Sequence, residues 1–364
     1  MRFVKTEELK TGMRIARPIY NKKGVLLYER DSRLTDASIN SIKNFGLIGI
    51  YILEPAEPVP PMTDDDIEFE RFQTVNVYAL ESELNSIIMM HKASPKLEMM
   101  VGEIVHTYGH LSRKINFIQN LRSSEDYVYK HSLNVAILSA MICHKMNVQP
   151  SDTRECILAA LTHDIGRLMV PKNVIKDADE AEKERIYKNA EVNGYEFIEN
   201  VFASTPNIKR ICAQTNKVLS DFKAHVESEK VKITVGARVM LVAETYDSMT
   251  AMQLSGEPAS EVEALRYLYS NPEIFHPKAV EGLVESINIL GPGTAVELNT
   301  GEKALVLSVN VADILRPMVL VFATNEIIDL SNKNLYDDIE IADIMKTMDN
   351  RYAIDNDTVK KFLG

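Results

Sequence analysis

The stretch Ala160-Leu161-Thr162-His163-Asp164-Ile165-Gly166-Arg167 closes an apolar helical run and sets an imidazole beside a carboxylate. Neighbouring helical residues point about 100° apart, so both side chains reach one ion only at a helix end or irregularity. The glycine two residues on predicts such an end, as a sharp C-cap. Working outward, Ile157, Leu158 and Leu161 share one helical face, as do Val135, Leu138 and Ile142, and Ile115, Ile118 and Leu121. His131 precedes the second of these faces and sits at its edge. Glu244 and Asp247 follow another apolar run, in which a buried carboxylate needs a cation or a donor.

The period changes at both ends of this helical region. Met13–Ala16 and Gly24–Leu27 flank Asn21-Lys22-Lys23-Gly24, which reads as a hairpin. Thr35-Asp36 caps a short helix carrying Ile39 and Ile42, and a strand over 48–53 follows. The proline-rich 55–61 (PAEPVPP) breaks any helix or central strand. After Gly291-Pro292-Gly293, strands are predicted at 295–298, 303–309 and 317–322, with a tight turn over 299–302. The expected organisation is a small β-rich module over 1–55, a Pro-rich linker and helical segment over 56–120, a helical domain over 121–290, and a C-terminal β extension with a terminal helix over 291–364.

Composition bounds the function. The 364 residues exceed one ordinary core of about 150. With 45% hydrophobic and 26% charged residues, the chain is neither disordered nor fibrous. A net charge of -11 argues against nucleic-acid partners. No apolar run suits a membrane span, and MRFVKTEELKTGM lacks the core of a signal peptide, so a cytoplasmic location is expected. Cys143, Cys156 and Cys212 lack metal-ligand spacing and read as reduced, buried thiols.

An H…HD…D/E pattern on separate helices resembles the metal-dependent HD phosphohydrolases. The wording of the motifs is closer still to the HD-GYP group: YKHSLNVAILS (129–139), ALTHDIGRLMVP (160–171), NGYEFIE (193–199), VAETYDSMTA (242–251) and the tail over 275–302. Residues 10–52 resemble the small module that often precedes HD-GYP domains. The resemblance covers nearly the whole chain. It implies a mainly α fold, an HD-type helical bundle flanked by a small N-terminal β-rich module and a small C-terminal β extension. It also implies hydrolysis of cyclic di-GMP at a centre of two or three iron or manganese ions.

The departures from that pattern shape the expectation. Asn189 replaces a histidine, and Thr215, Asn216 and Lys217 replace a His-His-Glu run. The Gly-Tyr-Pro motif is missing from 218–230, Glu244 stands for an aspartate, and Arg167 for a lysine. Losing three imidazoles removes donors that suit iron, manganese or zinc. The resemblance then leaves His131, His163, Asp164 and Glu244 for one divalent ion, or none, with Asp164 and Arg167 as the catalytic pair. The expected function is cyclic di-GMP signalling with impaired or lost hydrolysis. Two alternatives stay open: a single-metal phosphohydrolase acting on another phosphate ester or nucleotide, and a non-catalytic interaction or dimerisation module. Expected partners are cyclic di-GMP or another phosphate-containing small molecule, other proteins and a homodimer mate, with no DNA, RNA or membrane.

The remaining histidines read as surface, interface or packing residues, and His225 as a weak substitute for a lost ligand. Residues 176–185 read as a solvated mixed-charge helix, the methionines as core filler, and Tyr246 and Asp247 as braces of their helix.

Overall fold

The computed structural model describes residues 2–45, 47, 49–53, 62–119, 122–123, 125–176, 178–226, 232–251 and 258–345. The expected linker at 55–61, the terminal helix beyond 345, Ile48 and Leu121 lie outside these residues.

The N-terminal module contains β1 (Arg2–Lys5), β2 (Arg14–Ile15), β3 (Ile19–Tyr20), β4 (Leu26–Tyr28), α1 (Asp36–Asn44) and β5 (Gly49–Leu53). β5 lies between β1 and β2, both antiparallel to it. The hairpin uses β3, not the 13–16 stretch: Ile19 pairs with Tyr28. Arg14 and Ile15 pair instead with Leu53 and Ile52, because Pro18, which has no amide donor, separates the two segments. Gly24 takes φ +73° in the connecting turn, a conformation open to glycine at no steric cost. Thr35 caps α1 through a reciprocal box with Ser38. Val4, Ile15, Leu34, Ile42, Ile50 and Ile52 form the module's own small core.

The helical region runs through α2 (Asp64–Met90), α3 (Pro95–Tyr108), α4 (Tyr127–Lys145), α5 (Pro150–Thr162), α6 (Ile165–Leu168), α7 (Lys172–Lys176), α8 (Glu180–Val201), α9 (Asn207–Lys223), α10 (Val235–Thr250), α11 (Glu261–Ser270) and α12 (Pro277–Val284). α4 is the central helix, packed by α2, α3, α5, α10 and α12. Its residues from Leu133 to Cys143 are buried on every face, as expected of a helix with no solvent side. The buried thiols of Cys143, Cys156 and Cys212 belong to the same core.

The C-terminal sheet comprises β6 (Ala295–Leu298), β7 (Lys303–Ser308), β8 (Met318–Val321), β9 (Ile327–Asp329) and β10 (Ile341–Ile344), in the order β10-β6-β7-β8-β9, with α13 (Lys333–Tyr336) before the last strand. β9 and β10 were not foreseen; both are short, of three and four residues. Strand alternation divides β7: Ala304 and Val306 join the helical core, while Leu305 and Leu307 pack with Leu320 and Phe322 on the opposite face. The methionines are not all core filler, since Met89, Met90 and Met99 are exposed. The mainly α architecture with a small sheet at each end matches the expected fold class.

One buried carboxylate lies where α2 meets the N-terminal module. Burial is the main cause that raises the Glu70 pKa to about 7; Asp66 adds to the rise, and Arg17 and Arg30 oppose it. The folded chain therefore holds this proton to higher pH than the unfolded chain does. The stability lost through Glu70 grows as pH rises from about 4.5 to about 7. Glu70→Gln should be stabilised relative to the parent by on the order of 2–3 kcal/mol more at about pH 8 than at about pH 5. Urea denaturation at the two pH values measures this, and a pH-independent difference would contradict it.

Candidate metal centre

The chain break that unites His163 and Asp164 falls between them. α5 ends at Thr162, His163 is its C-cap, and Asp164 is the N-cap of α6. Gly166 is not the expected C-cap; it lies within α6 and is absent from the positive-φ positions. Its role is close contact. A Cβ there would stand 2.0 Å from the Ala190 carbonyl oxygen, and one at Gly194 would stand 2.9 Å from the Gly166 nitrogen. Two facing glycines let α8 approach the His-Asp turn and wall the site.

His131 enters from α4. Its Nδ1 donates to Asp247 Oδ2 at 2.6 Å. The other oxygen of Asp247 accepts from Arg122 Nη2 at 2.6 Å, Asn134 Nδ2 at 3.0 Å and Gln119 Nε2 at 3.1 Å. Burial alone would raise the Asp247 pKa, but Arg122 and His131 hold it down to about 2. An ionised carboxylate at 2.6 Å fixes the proton on Nδ1. The longer approach of Arg122 Nη1 to Nδ1, 3.3 Å, is then a contact without a shared proton. Tyr127 stacks on the His131 ring, with centroids 5.2 Å apart.

His163 is fixed in the same sense. Its Nδ1 donates to the Ala160 carbonyl at 2.8 Å, which leaves Nε2 to face inward. Glu244 Oε2 lies 2.8 Å from His131 Nε2 and 3.2 Å from His163 Nε2. These distances would permit hydrogen bonds, yet the directions do not. Glu244 Oε2 and His163 Nε2 are both buried without an aligned partner among the described residues. A hydrogen bond weakens steeply off axis, so closeness alone does not satisfy these atoms. Three electron-rich atoms thus converge around one point. Either protons or a cation must occupy their midst. Without a cation, burial disfavours charge on His131, but Glu244, Tyr127 and Asp247 outweigh it and hold its pKa well above the usual range. Burial likewise opposes charge on His163, and Asp164 and Glu244 overcome it. The Glu244 pKa is held well below normal, despite burial, by the two histidines.

A single divalent cation fits this set. Potential ligand atoms of His131, His163 and Asp164 lie within 4.8 Å of one another, the one such trio among the described residues. Two imidazole nitrogens with carboxylate oxygens suit iron, manganese or zinc. Each imidazole also has the outer hydrogen bond that orients a ligating histidine.

A cavity of about 850 Å³ opens on this centre, lined by His163, Asp164, Arg167, Glu191, Thr215 and Glu244 among others. Arg167 approaches Asp164 Oδ1 at 3.3 Å through Nε and Glu191 Oε1 at 3.3 Å through Nη2. Asn216 donates to the other oxygen of Glu191 at 2.7 Å. Thr215 is buried, and its hydroxyl has no partner among the described residues. Two expected residues do not join them. Lys217 is exposed and pairs with Asp221 at 3.0 Å, one helical turn on, because the residue after Asn216 points about 100° away. Asn189 is exposed on α8. His225 is exposed as well. In contrast, Lys183 and Glu184, read as solvated, line the cavity.

Asp247 does more than brace its helix: it is the anion that orients His131. Its spacing was the legible signal, since Glu244 and Asp247, three apart, share a helical face and meet the same ring. Asn134, three residues after His131, carries the same signal. Arg122 and Glu191 offered none.

An HD-domain family model matches residues 116–277, the segment that holds every member of this centre. The matched segment, which is under half of the chain, is similar to HD domains. Over 204 residues the chain is 23% identical to a cyclic di-GMP phosphodiesterase of Pseudomonas aeruginosa, a match covering 56% of this chain and 49% of the relative. The chain thus spans about half the length of that relative. A solved HDG"Y"P protein of Bdellovibrio bacteriovorus is similar at a TM-score of 0.44 and 14% identity, covering 78% of this chain and 97% of that one. The HD resemblance read from the motifs agrees with the family-model match. No described helix is long and apolar enough to cross a membrane.

Removing Asp247 leaves Arg122 as an unpaired charge in the core. Asp247→Ala should cost about 3–5 kcal/mol in chemical denaturation, the range for breaking one side of a buried pair. A loss below about 1 kcal/mol, typical of an exposed pair, would contradict the arrangement.

Proposed function

We propose that this chain holds one divalent ion and binds cyclic di-GMP in the adjoining cavity, with hydrolysis strongly impaired. The observation that carries the reading is the unequal chemistry on the two sides of Asp164. On one side two imidazoles and Glu244 converge. On the other stand Arg167, Thr215 and Asn216, which offer no imidazole and no carboxylate, and the carboxylate beside them, Glu191, is tied to Arg167 and Asn216.

When bound, the ion supplies Lewis acidity toward a phosphate oxygen. The side chains do the rest. His131 is locked by Asp247 and His163 by the Ala160 carbonyl, so neither ring reorganises on binding. Arg167, held by Asp164 and Glu191 and lying over Tyr187 at 5.1 Å, presents a permanent cation toward phosphate. Acidic and basic side chains line the cavity in equal number, so a divalent ion tips its balance toward an anionic ligand. Two-metal hydrolysis needs ions about 3.5–4 Å apart, one to activate water and both to neutralise the transferred phosphoryl group. Here Glu191 is already tied to Arg167 and Asn216. Binding without efficient cleavage follows from that asymmetry. The relative's name supports the choice of nucleotide.

With saturating manganese, equilibrium dialysis should show saturable binding of cyclic di-GMP. Turnover should stay well below about 1 per second, the lower end of ordinary enzymes. His163→Ala should lower manganese affinity by at least about tenfold. Turnover in the ordinary enzyme range would refute the impaired centre, and absence of binding would refute the ligand.

A further inference from the structure

A second cavity, of about 460 Å³, lies between the N-terminal module and the helices α2 and α4. That volume falls in the range of small-molecule sites. Glu70 lines it, is only 6% exposed, and has one oxygen, Oε2, without a hydrogen-bond partner among the described residues. Its other oxygen faces Arg17 Nε at 3.7 Å, too far for a hydrogen bond. A buried carboxylate in that condition carries an unmet desolvation cost that a donor from outside the chain would relieve.

The rest of the lining says what kind of donor. Tyr20, Tyr51, Tyr78 and Tyr129 form much of the wall. Two of these rings already hold cations: the Arg17 guanidinium lies 4.4 Å from the Tyr51 centroid, and the Lys22 ammonium 4.6 Å from that of Tyr78. Acidic residues, Glu70, Glu81, Glu125 and Asp126, outnumber the basic Arg17, Lys22 and Lys130. A phosphorylated or carboxylated ligand would add charge of the wrong sign. A neutral donor would satisfy Glu70 and leave the excess charge. An organic monocation meets both needs.

We propose that this cavity binds a small organic amine, its ammonium donating to Glu70 and its flat or apolar body lying against the tyrosine rings. The place also matters. Arg17 Nη1 donates to the Gln119 carbonyl at 3.1 Å, and the Gln119 side chain donates to Asp247. Asp247 in turn accepts from His131. The cavity wall and the metal centre are therefore joined through one residue, which sets the amine site in position to act as an input.

The binding claim is independent of any metal and is tested on the full chain in EDTA at about pH 8, above the raised Glu70 pKa of about 7. Phenethylamine, tyramine and isoamylamine are titrated calorimetrically, with 2-phenylethanol as the uncharged control. At least one amine should bind saturably with a Kd at or below about 1 mM. The alcohol should bind at least about tenfold more weakly. Glu70→Gln, a variant expected to fold because it removes a buried charge, should lose at least about tenfold in amine affinity. Glu68→Gln, an exposed change on the same helix, should not. Equal affinity for the alcohol, undiminished binding by Glu70→Gln, or no binding by any of the three amines would overturn the proposal.

Discussion

The centre depends on one buried carboxylate. Asp247 is fully buried and takes hydrogen bonds from Arg122, Asn134, Gln119 and His131, donors from α4 and from the segment before it. Three of these donors meet one oxygen of the carboxylate, and His131 meets the other. Asp247 decides which nitrogen of His131 carries the proton, and thereby turns the other toward Glu244. Without this anion, neither the charge of Arg122 nor the orientation of His131 has a cause.

Around that anchor the fold brings together elements far apart in sequence. α4 and α10 present one ring and two carboxylates to each other. The break between α5 and α6 turns two adjacent side chains toward one point, and the Gly166–Gly194 contact lets α8 close the wall. The result is lopsided. Nitrogen donors gather on the His131 side, while Arg167 of α6, Glu191 of α8, and Thr215 and Asn216 of α9 stand opposite. Charge and ligand chemistry together favour one cation beside a permanently charged arginine.

Much of this was legible in the sequence. The apolar period placed the helices, and the change of period placed the terminal sheets. The quartet His131, His163, Asp164 and Glu244 was named from its motifs, and the structure brings its members together. What stayed hidden has physical reasons. Buried polar partners such as Arg122 and Gln119 lie in irregular chain, where no periodicity marks a residue as internal. Gly166 was misread because glycine serves both turns and close helix contacts, and sequence does not separate the two uses. Lys217 was misplaced because one step along a helix rotates a side chain out of the site. The strands β9 and β10, of three and four residues, are too short to reveal an alternation.

The account stands or falls on how many ions the centre holds. Crystals soaked in manganese and measured at its absorption edge count them directly. One anomalous peak among His131, His163, Asp164 and Glu244 is the predicted result. Two peaks about 3.5–4 Å apart, the separation of a two-metal hydrolase, would contradict it.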